Sequence, residues 1–435
     1  MNFSAKSLGA RTIRSPLIDS FLSRKSAFVS DGTRVLYHVI LDENESPPDL
    51  AESFELAGPR EMIYFDPAQV RSAIVTCGGL SPGLNDVIRA IVMESHYRYG
   101  APPVLGIRYG YNGLNREGKY EPLELTPQTV LDIHKEGGTI LGSSRGGAED
   151  MEVLVDTLEQ RGINIFYTIG GDGTHRGAHK IAQIALERQL NLAVVGVPKT
   201  IDNDMSYLQR TFGFETAFSK AVDAITAAHV EAEGAPNGIG LVKLMGRHSG
   251  FIAASATLAM NDVNFVLVPE VPFDLDGDNG FLLHLEKRLE RRGHAVVCVA
   301  EGAGQDLMMK DKSRQKHDAS GNIVLEDIGV YLKMKISEYF RERAIPINLK
   351  YIDPSYMIRS APANPNDSIF CTLLGQFAVH AAMMGRTDIT IGQWNNVYTH
   401  VPIELVISKR NQIDPNSRFW YNVLEATGQP MSMVN

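Results

Sequence analysis

At 435 residues, with 44% hydrophobic and 21% charged side chains, the chain has the composition of an ordinary globular protein and the length for more than one domain. A formal charge of −9 excludes a general nucleic-acid or membrane surface, so an anionic ligand must be held by local cations, backbone donors or a metal ion. No apolar run approaches ~20 residues, which excludes a transmembrane helix, and the three cysteines, Cys77, Cys298 and Cys371, lack the paired spacing of a zinc site or disulfide framework, so they are expected as buried thiols in a cytoplasmic protein.

The first segment, to about Val29, carries Lys6, Arg11, Arg14, Arg24 and Lys25 against Asp19 alone. That is the composition of a transit peptide or of a surface arm, and it is taken here as an arm within an N-terminal extension over residues 1–71. Regular alternation begins at residue 72. Residues 72–77 read as a buried strand, followed by a turn and a helix with Leu84, Val87, Ile88, Ile91 and Val92 on one face. Between them, Gly78-Gly79-Leu80-Ser81-Pro82-Gly83 either aims backbone N–H groups and a positive helix end at a phosphate or is only a tight turn.

The apolar run 163–169 leads into Gly170-Gly171-Asp172-Gly173-Thr174, read as a loop whose glycines let backbone donors approach a phosphate while Asp172 holds a metal ion. A helix is expected over 178–190 and a strand over 192–197. Next comes Pro198-Lys199-Thr200-Ile201-Asp202-Asn203-Asp204, with two carboxylates, a hydroxyl and an ammonium on one short loop. The two loops together read as phosphoryl transfer, one supplying the phosphate cradle and its metal ligand, the other a carboxylate that takes a hydroxyl proton. Asp204 can equally serve only its own turn.

A second series follows: helix 214–233, strands 239–245 and 263–269, helix 280–292 and strand 295–300. Glu301 ends that last strand, where a solvated carboxylate would be unremarkable. Residues 306–327, with Ala319-Ser320-Gly321-Asn322, read as a surface loop or small hairpin. Helix 328–343, strand 347–351, helix 368–384 and strand 387–393 complete the pattern. His175 and His248 are expected as polar residues at helix ends. Alternation of this kind implies mostly parallel sheets covered by helices on both faces, with ligands beyond the carboxyl ends of the strands.

Taken in order, the 170–174 and 198–204 motifs, Gly137-Gly138-Thr139-Ile140-Leu141-Gly142-Ser143-Ser144-Arg145, Met245-Gly246-Arg247 and Tyr356-Met357-Ile358-Arg359 resemble the 6-phosphofructokinase family from residue 72 to about residue 385. The wording of Ile201-Asp202-Asn203-Asp204, Gly246-Arg247-His248-Ser249-Gly250-Phe251 and Tyr351-Ile352-Asp353-Pro354 is similar to the plant and trypanosomatid ATP-dependent subgroup. The resemblance implies an α/β fold of two Rossmann-like, three-layer αβα domains with mostly parallel sheets plus the N-terminal extension. It implies a nucleotide-binding domain over 72–213 and about 358–410, and a sugar-phosphate-binding domain over 214–357 and 411–435.

The implied activity is transfer of the ATP γ-phosphoryl group to the 1-hydroxyl of fructose 6-phosphate with Mg²⁺, in a homo-oligomer, tetramer or dimer. Gly79, Arg145, Gly146, Gly171, Asp172, Gly173 and Thr174 would surround the nucleotide phosphates, with Asp172 on the metal. Asp202 would be the base, and Thr200 and Arg247 would contact the transferring group. Ile201, Met245, Gly246, Glu301, Lys350, Tyr356, Met357, Ile358 and Arg359 would complete the sugar-phosphate site. Two alternatives stand beside this reading. NAD and lipid kinases share the 170–174 string but have no use for 199–204. Pyrophosphate-dependent relatives typically carry Asp at the position of Gly173 and Lys at that of Lys199. Here Gly173 leaves the room that ATP requires, while the Lys199 ammonium assists either donor, so ATP is expected. One departure is that 237–240, Asn-Gly-Ile-Gly, lacks the arginine that compact bacterial members use across a subunit boundary, leaving Lys350 as the other candidate cation.

Overall fold

Strands Ile165–Gly170 and Ala193–Pro198 are buried at every position, so neither face of their sheet can meet water and both need helical cover. The computed structural model describes residues 2–20, 27–40, 47–115, 120–147, 150–308 and 324–435. It divides into two units, the first comprising Met1–Thr200, Met205–Gly213 and Ser360–Arg410, the second Ile201–Asp204, Phe214–Arg359 and Asn411–Asn435.

In the first unit nine strands form one sheet, in the order Arg34–Leu36, Ser53–Leu56, Val397–Pro402, Ile389–Trp394, Ala193–Pro198, Ile165–Gly170, Ser72–Thr76, Val104–Ile107, Leu123–Leu125. The five strands from Ile389–Trp394 to Val104–Ile107 run parallel, and the outer ones pair antiparallel. Side chains alternate between two cores, as period-two geometry demands. Ile74, Ile165, Tyr167, Val195 and Ile389 pack under helices Leu84–Tyr99 and Pro365–Met383. Ala73, Val75, Phe166 and Val194 face helices Met151–Gln160 and Asp172–Glu187. Gly375 brings two helices close: a Cβ there would lie 2.6 Å from that of Ala90.

The second unit repeats the device on four parallel strands, ordered Phe265–Leu267, His294–Ala300, Gly238–Leu244, Asn348–Ile352. Val242, Leu244, Val296 and Cys298 meet helices Phe214–Glu233, Phe251–Met260 and Arg418–Thr427, while Ile239, Leu241, Val297 and Val299 meet Phe281–Arg292 and Ile328–Glu342. The fold class read from β-α alternation is therefore present in both units, each with helices on two faces of a mostly parallel sheet.

Several elements differ from the sequence expectation. The helix expected from residue 178 begins at Asp172, so Asp172, Gly173 and Thr174, read as part of a loop, form its first turn. Helix Phe251–Met260 escaped the periodicity test because its sequence, FIAASATLAM, has no polar face. The segment before Ser72 is built into the sheet through its two antiparallel strands. Its cations are engaged: Lys6 pairs with Asp388 at 2.7 Å, Arg14 with Asp19 at 2.7 Å, and Arg11 with Asp31. Arg24 and Lys25 lie outside the described residues, as does most of the expected loop or hairpin at 306–327; its described start holds the short helix Gln305–Met308. All three cysteines are free and buried, and no described helix is long and apolar enough to cross a membrane.

Candidate active site

In the first unit the parallel strands end at Thr76, Gly170 and Pro198, and the motif residues stand just beyond these carboxyl ends. Hydrogen bonds knit them together. Gly78 N donates to Ser144 O at 2.9 Å and Ser143 Oγ to Gly78 O at 2.7 Å, which joins the Gly78-Gly79 turn to the segment holding Arg145 and Gly146. Buried Lys199 reaches across to donate from Nζ to Gly79 O at 2.5 Å, and its backbone N donates to Gly170 O at 2.9 Å. Thr200 O accepts from Thr211 Oγ1 at 2.6 Å. The exposed guanidinium is that of Arg145.

Gly171 caps the Asp172–Glu187 helix in an extended conformation with no side-chain hydrogen bond. The first-turn N–H groups of Asp172, Gly173 and Thr174, and the positive end of the helix, are thus available to an anion. Gly170 is required by packing, because a Cβ would sit 2.1 Å from Thr174 Oγ1, whereas a Cβ on Gly173 would meet nothing within 4 Å. Behind this turn His175 is fully buried, in contrast to the helix-end role expected of it. One ring nitrogen lies 3.0 Å from Gly171 O and the other 3.0 Å from Thr390 Oγ1, and burial pushes its pKa down to about 4, so it holds the turn as a neutral imidazole. Asp172 pairs with Arg176 at 3.0 Å and stands 3.8 Å from Arg410.

In the second unit strand Gly238–Leu244 delivers Met245, Gly246 and Arg247, strand His294–Ala300 delivers Glu301, and Asn348–Ile352 is followed by the short helix Ser355–Ser360 with Tyr356, Met357, Ile358 and Arg359. Glu301 N donates to Leu244 O at 2.8 Å and Gly302 N to Gly246 O at 3.0 Å, stitching two of these ends together. Gly246 sits at φ +125°, and a Cβ would lie 2.4 Å from Ser249 O. The segment Ile201–Asp204 is fastened here by Ser249 Oγ donating to Asp202 O at 2.8 Å, Asn411 N to Asp204 O at 2.9 Å, and Asn411 Nδ2 to Asn203 O at 3.1 Å. Asn203 takes a left-handed φ of 53°, which asparagine tolerates, and reverses the chain between the two aspartates.

The electrostatics of these groups are unusual. Half-buried Asp202 has its pKa raised to about 8, first by burial, then by the charges of Asp204 and Glu301, against a backbone hydrogen bond and the charge from Arg247. Glu301 is raised by burial too, opposed by Arg247, Lys243 and Arg359. Asp204 is buried, and its charge is one of the causes that raise Asp202. Lys243 bridges Asp327 at 3.0 Å and Asp353 at 2.9 Å.

Other expected residues fall elsewhere. The side chains of Ile201 and Ile358 are buried in the core, leaving only their backbones to a ligand. Tyr356 and Met357 are exposed, and Arg359 lies 5.4 Å from the Tyr356 ring. Lys350 is exposed in the middle of an edge strand, opposite Gly240, and not at a strand end. Gly240 itself admits no side chain, since a Cβ would come within 2.6 Å of Ala228 O. That packing explains why no cation occupies the stretch.

The phosphofructokinase family model matches residues 71–382. The chain belongs to the phosphofructokinase family. An ATP-dependent 6-phosphofructokinase of Borreliella burgdorferi is 50% identical across 100% of this chain and 98% of that protein. The Arabidopsis thaliana protein named ATP-dependent 6-phosphofructokinase 5, chloroplastic, is 51% identical across 86% of this chain and 68% of its own length. Among solved structures, a pyrophosphate-dependent phosphofructokinase from Marinobacter aquaeolei superposes with a TM-score of 0.66 at 20% identity, covering 82% of this chain and 91% of its own, which supports the fold alone. The motif resemblance, including its plant flavour, therefore identified the family.

Sequence reasoning missed Ser249 and Asn411 as anchors of the aspartate loop, and Arg176 and Arg410 as partners of Asp172. Asn411 lies 208 residues from Asn203, and no local pattern connects them. Arg176 was within reach of reading, since it stands four residues after Asp172 on one helix face.

Proposed function

We propose that the chain is an ATP-dependent 6-phosphofructokinase, transferring the γ-phosphoryl group of ATP to the 1-hydroxyl of fructose 6-phosphate. The observation that carries this reading is 50% identity along the whole chain to an ATP-dependent 6-phosphofructokinase of Borreliella burgdorferi, and the raised pKa of Asp202, beside Asp204, Arg247 and Glu301, suits the chemistry. A carboxylate made this basic is a far better acceptor for a hydroxyl proton than an ordinary aspartate. The 1-hydroxyl oxygen attacks the γ-phosphorus, its proton passes to Asp202, and the bond to the ADP oxygen breaks. Arg247 and Thr200 stabilise charge on the transferring group.

We assign the nucleotide to the first unit, on the N–H groups of Gly79, Gly146, Gly171, Gly173 and Thr174 with Arg145, and the sugar phosphate to the second, on Met245, Gly246, Glu301, Arg359 and Tyr356, with Lys350 as a further cation. The fit to Mg²⁺ rests on Asp172, a partly exposed carboxylate at an uncapped helix start, because Mg²⁺ is usually held by one or two carboxylates plus phosphate oxygens. When bound, the ion supplies charge neutralisation on the phosphates. Asp172, which pairs with Arg176 here, would hold the ion.

ATP is assigned as donor because Gly173 opens onto free space that packing does not require. Lys199 spends its ammonium on Gly79 O, tying two phosphate loops, a role compatible with either donor. The test is initial rate with fructose 6-phosphate and Mg²⁺, comparing ATP with pyrophosphate at matched concentrations. ATP is expected to give the higher kcat/KM, and the reverse order would overturn the donor assignment. Gly173→Asp adds a carboxylate without disturbing packing and is expected to depress ATP-dependent turnover. We further infer a cytoplasmic homo-oligomer, a tetramer or dimer, checked by light scattering after size-exclusion chromatography; a fully active monomer would contradict it.

A further inference from the structure

Far along the second unit from the residues above, two imidazoles converge on one carboxylate. His229 and Glu233 stand one turn apart at the end of helix Phe214–Glu233, and His294 opens strand His294–Ala300. His229 Nε2 lies 3.5 Å from one Glu233 oxygen and His294 Nε2 3.9 Å from the other, and the two rings are 5.5 Å apart, near perpendicular. One ligand atom from each residue lies within 4.8 Å of the other two. We propose that His229, Glu233 and His294 form a binding site for a divalent transition-metal ion of the zinc class.

Three observations support it. The first is spacing: with zinc–ligand bonds of about 2.0–2.1 Å, the edge of a tetrahedron is about 3.3–3.4 Å, so the His229–Glu233 separation already fits and the His294 contact needs only a rotamer adjustment. The second is that neither ring makes a hydrogen bond within the described residues, so ligation competes only with the contacts of the two rings to Glu233 itself. The rings are only 19% and 20% exposed, which leaves polar atoms of limited hydration facing each other. The third is position: the site sits at the carboxyl end of a twenty-residue helix, where the macrodipole is negative and favours a cation.

Two imidazoles with one carboxylate select zinc, cobalt or nickel over Mg²⁺ or Ca²⁺, which prefer all-oxygen sets. Three protein ligands leave a fourth position for water. His294 is paired in register with Gly238, at the amino end of both strands, whereas Met245 and Glu301 stand beyond their carboxyl ends. The ion therefore acts as a brace between the end of helix Phe214–Glu233 and the amino end of strand His294–Ala300, and takes no part in phosphoryl transfer.

The experiment uses the full chain, stripped with a chelator and free of nucleotide and Mg²⁺. Zn²⁺ is titrated by calorimetry, Co²⁺ by visible absorption, and Tm is recorded with and without one equivalent of Zn²⁺. Wild type is expected to bind one Zn²⁺ per chain, to give the absorption of low-coordinate Co²⁺, and to gain several degrees in Tm. His294→Ala and His229→Ala should each weaken Zn²⁺ at least tenfold and abolish the Tm gain while retaining wild-type turnover. Glu233→Gln, which keeps the side-chain volume, should do the same and guards against a folding defect. Equal Zn²⁺ affinity in wild type and all three variants, or no Zn²⁺ effect on wild type, would overturn the site.

Discussion

Two sheltered carboxylates in this chain titrate in opposite directions. Glu55, in the first unit, is almost wholly buried, and burial alone would push its pKa up; the hydrogen bond and charge from His400 and the charge of Arg386 overcome this and hold it well below the usual carboxylate range. Arg386 Nη2 donates at 2.9 Å, His400 Nδ1 at 3.2 Å and Arg60 Nη2 at 3.3 Å. Burial pushes the His400 pKa down, opposed by the hydrogen bond and charge of Glu55, and its buried Nε2 finds no partner among the described residues. Asp202, less buried by area, faces two further acids and one arginine, and its pKa rises to about 8. Burial is common to both, and the surrounding charge decides the sign. One arrangement fastens strands together, and the other holds a proton acceptor in reserve.

The largest expected effect is on turnover. Replacing Asp202 with Asn removes the acceptor, so kcat should fall by ~10²–10⁴-fold while ATP affinity, measured by calorimetry, changes little. Near-normal kcat would show that Asp202 only resembles a base.

Breaking the opposite member affects stability first. Glu55→Gln leaves half-buried Arg386 without its counter-charge and buried Arg60 with Asp31 alone, and should cost about 3–5 kcal/mol in denaturant unfolding at pH 7. Because the folded pKa of Glu55 is depressed, its contribution is complete above the unfolded value near ~4.3 and is lost as pH falls below it. The gap between wild type and variant should therefore narrow in acid; a gap that widens there would reverse the argument.

Asp202 has the reverse sign. Its raised pKa means that the folded state loses stability as pH climbs from the ordinary carboxylate range through about 8. Asp202→Asn should accordingly raise Tm relative to wild type at pH 8.5 and have little effect at pH 4. A Tm difference independent of pH would mean that the site carries no such strain.

The smallest effect sharpens the comparison. The acidic limb of kcat/KM should lie near pH 8 in wild type, far above an ordinary aspartate. Asp204→Asn deletes the acidic neighbour with the larger effect on Asp202 and should move that limb downward without matching the loss of kcat expected of Asp202→Asn. An unmoved limb would assign the titration to another group.

Much of the fold was legible because β-α alternation is a local signal. Residues 72–77, 163–169 and 192–197 carry runs too apolar for any surface, and the structure places strands at Ser72–Thr76, Ile165–Gly170 and Ala193–Pro198. Helix Phe214–Glu233 was readable to its ends from Ala, Val and Ile spacing. Elements without a period were missed, Phe251–Met260 above all. Strand Val397–Pro402, which pairs antiparallel with Ile389–Trp394 across the turn Asn395-Asn396, was missed although two left-handed asparagines are a local hairpin signal.

The candidate site divides in the same way. Gly170 and Gly246 are short-range requirements, each excluding a Cβ that would strike Thr174 or Ser249, and their motifs announce them. Asp172, beside a glycine-rich turn, and Asp202, on one short loop with Asp204, Thr200 and Lys199, were legible as candidates for chemistry. What each of them touches was not. The arginine partners of Asp172, the burial of His175 and the hold of Asn411 on Asp204 all depend on contacts between distant elements.

By itself the sequence determined which residues could do chemistry and the layered α/β plan, because glycine stereochemistry and hydrophobic period act over a few residues. Only the tertiary structure decided the protonation behaviour of those residues. A carboxylate's pKa follows the summed field and desolvation from neighbours such as Glu301 beside Asp202 or Arg386 beside Glu55, and those neighbours are supplied by folding, not by spacing along the chain.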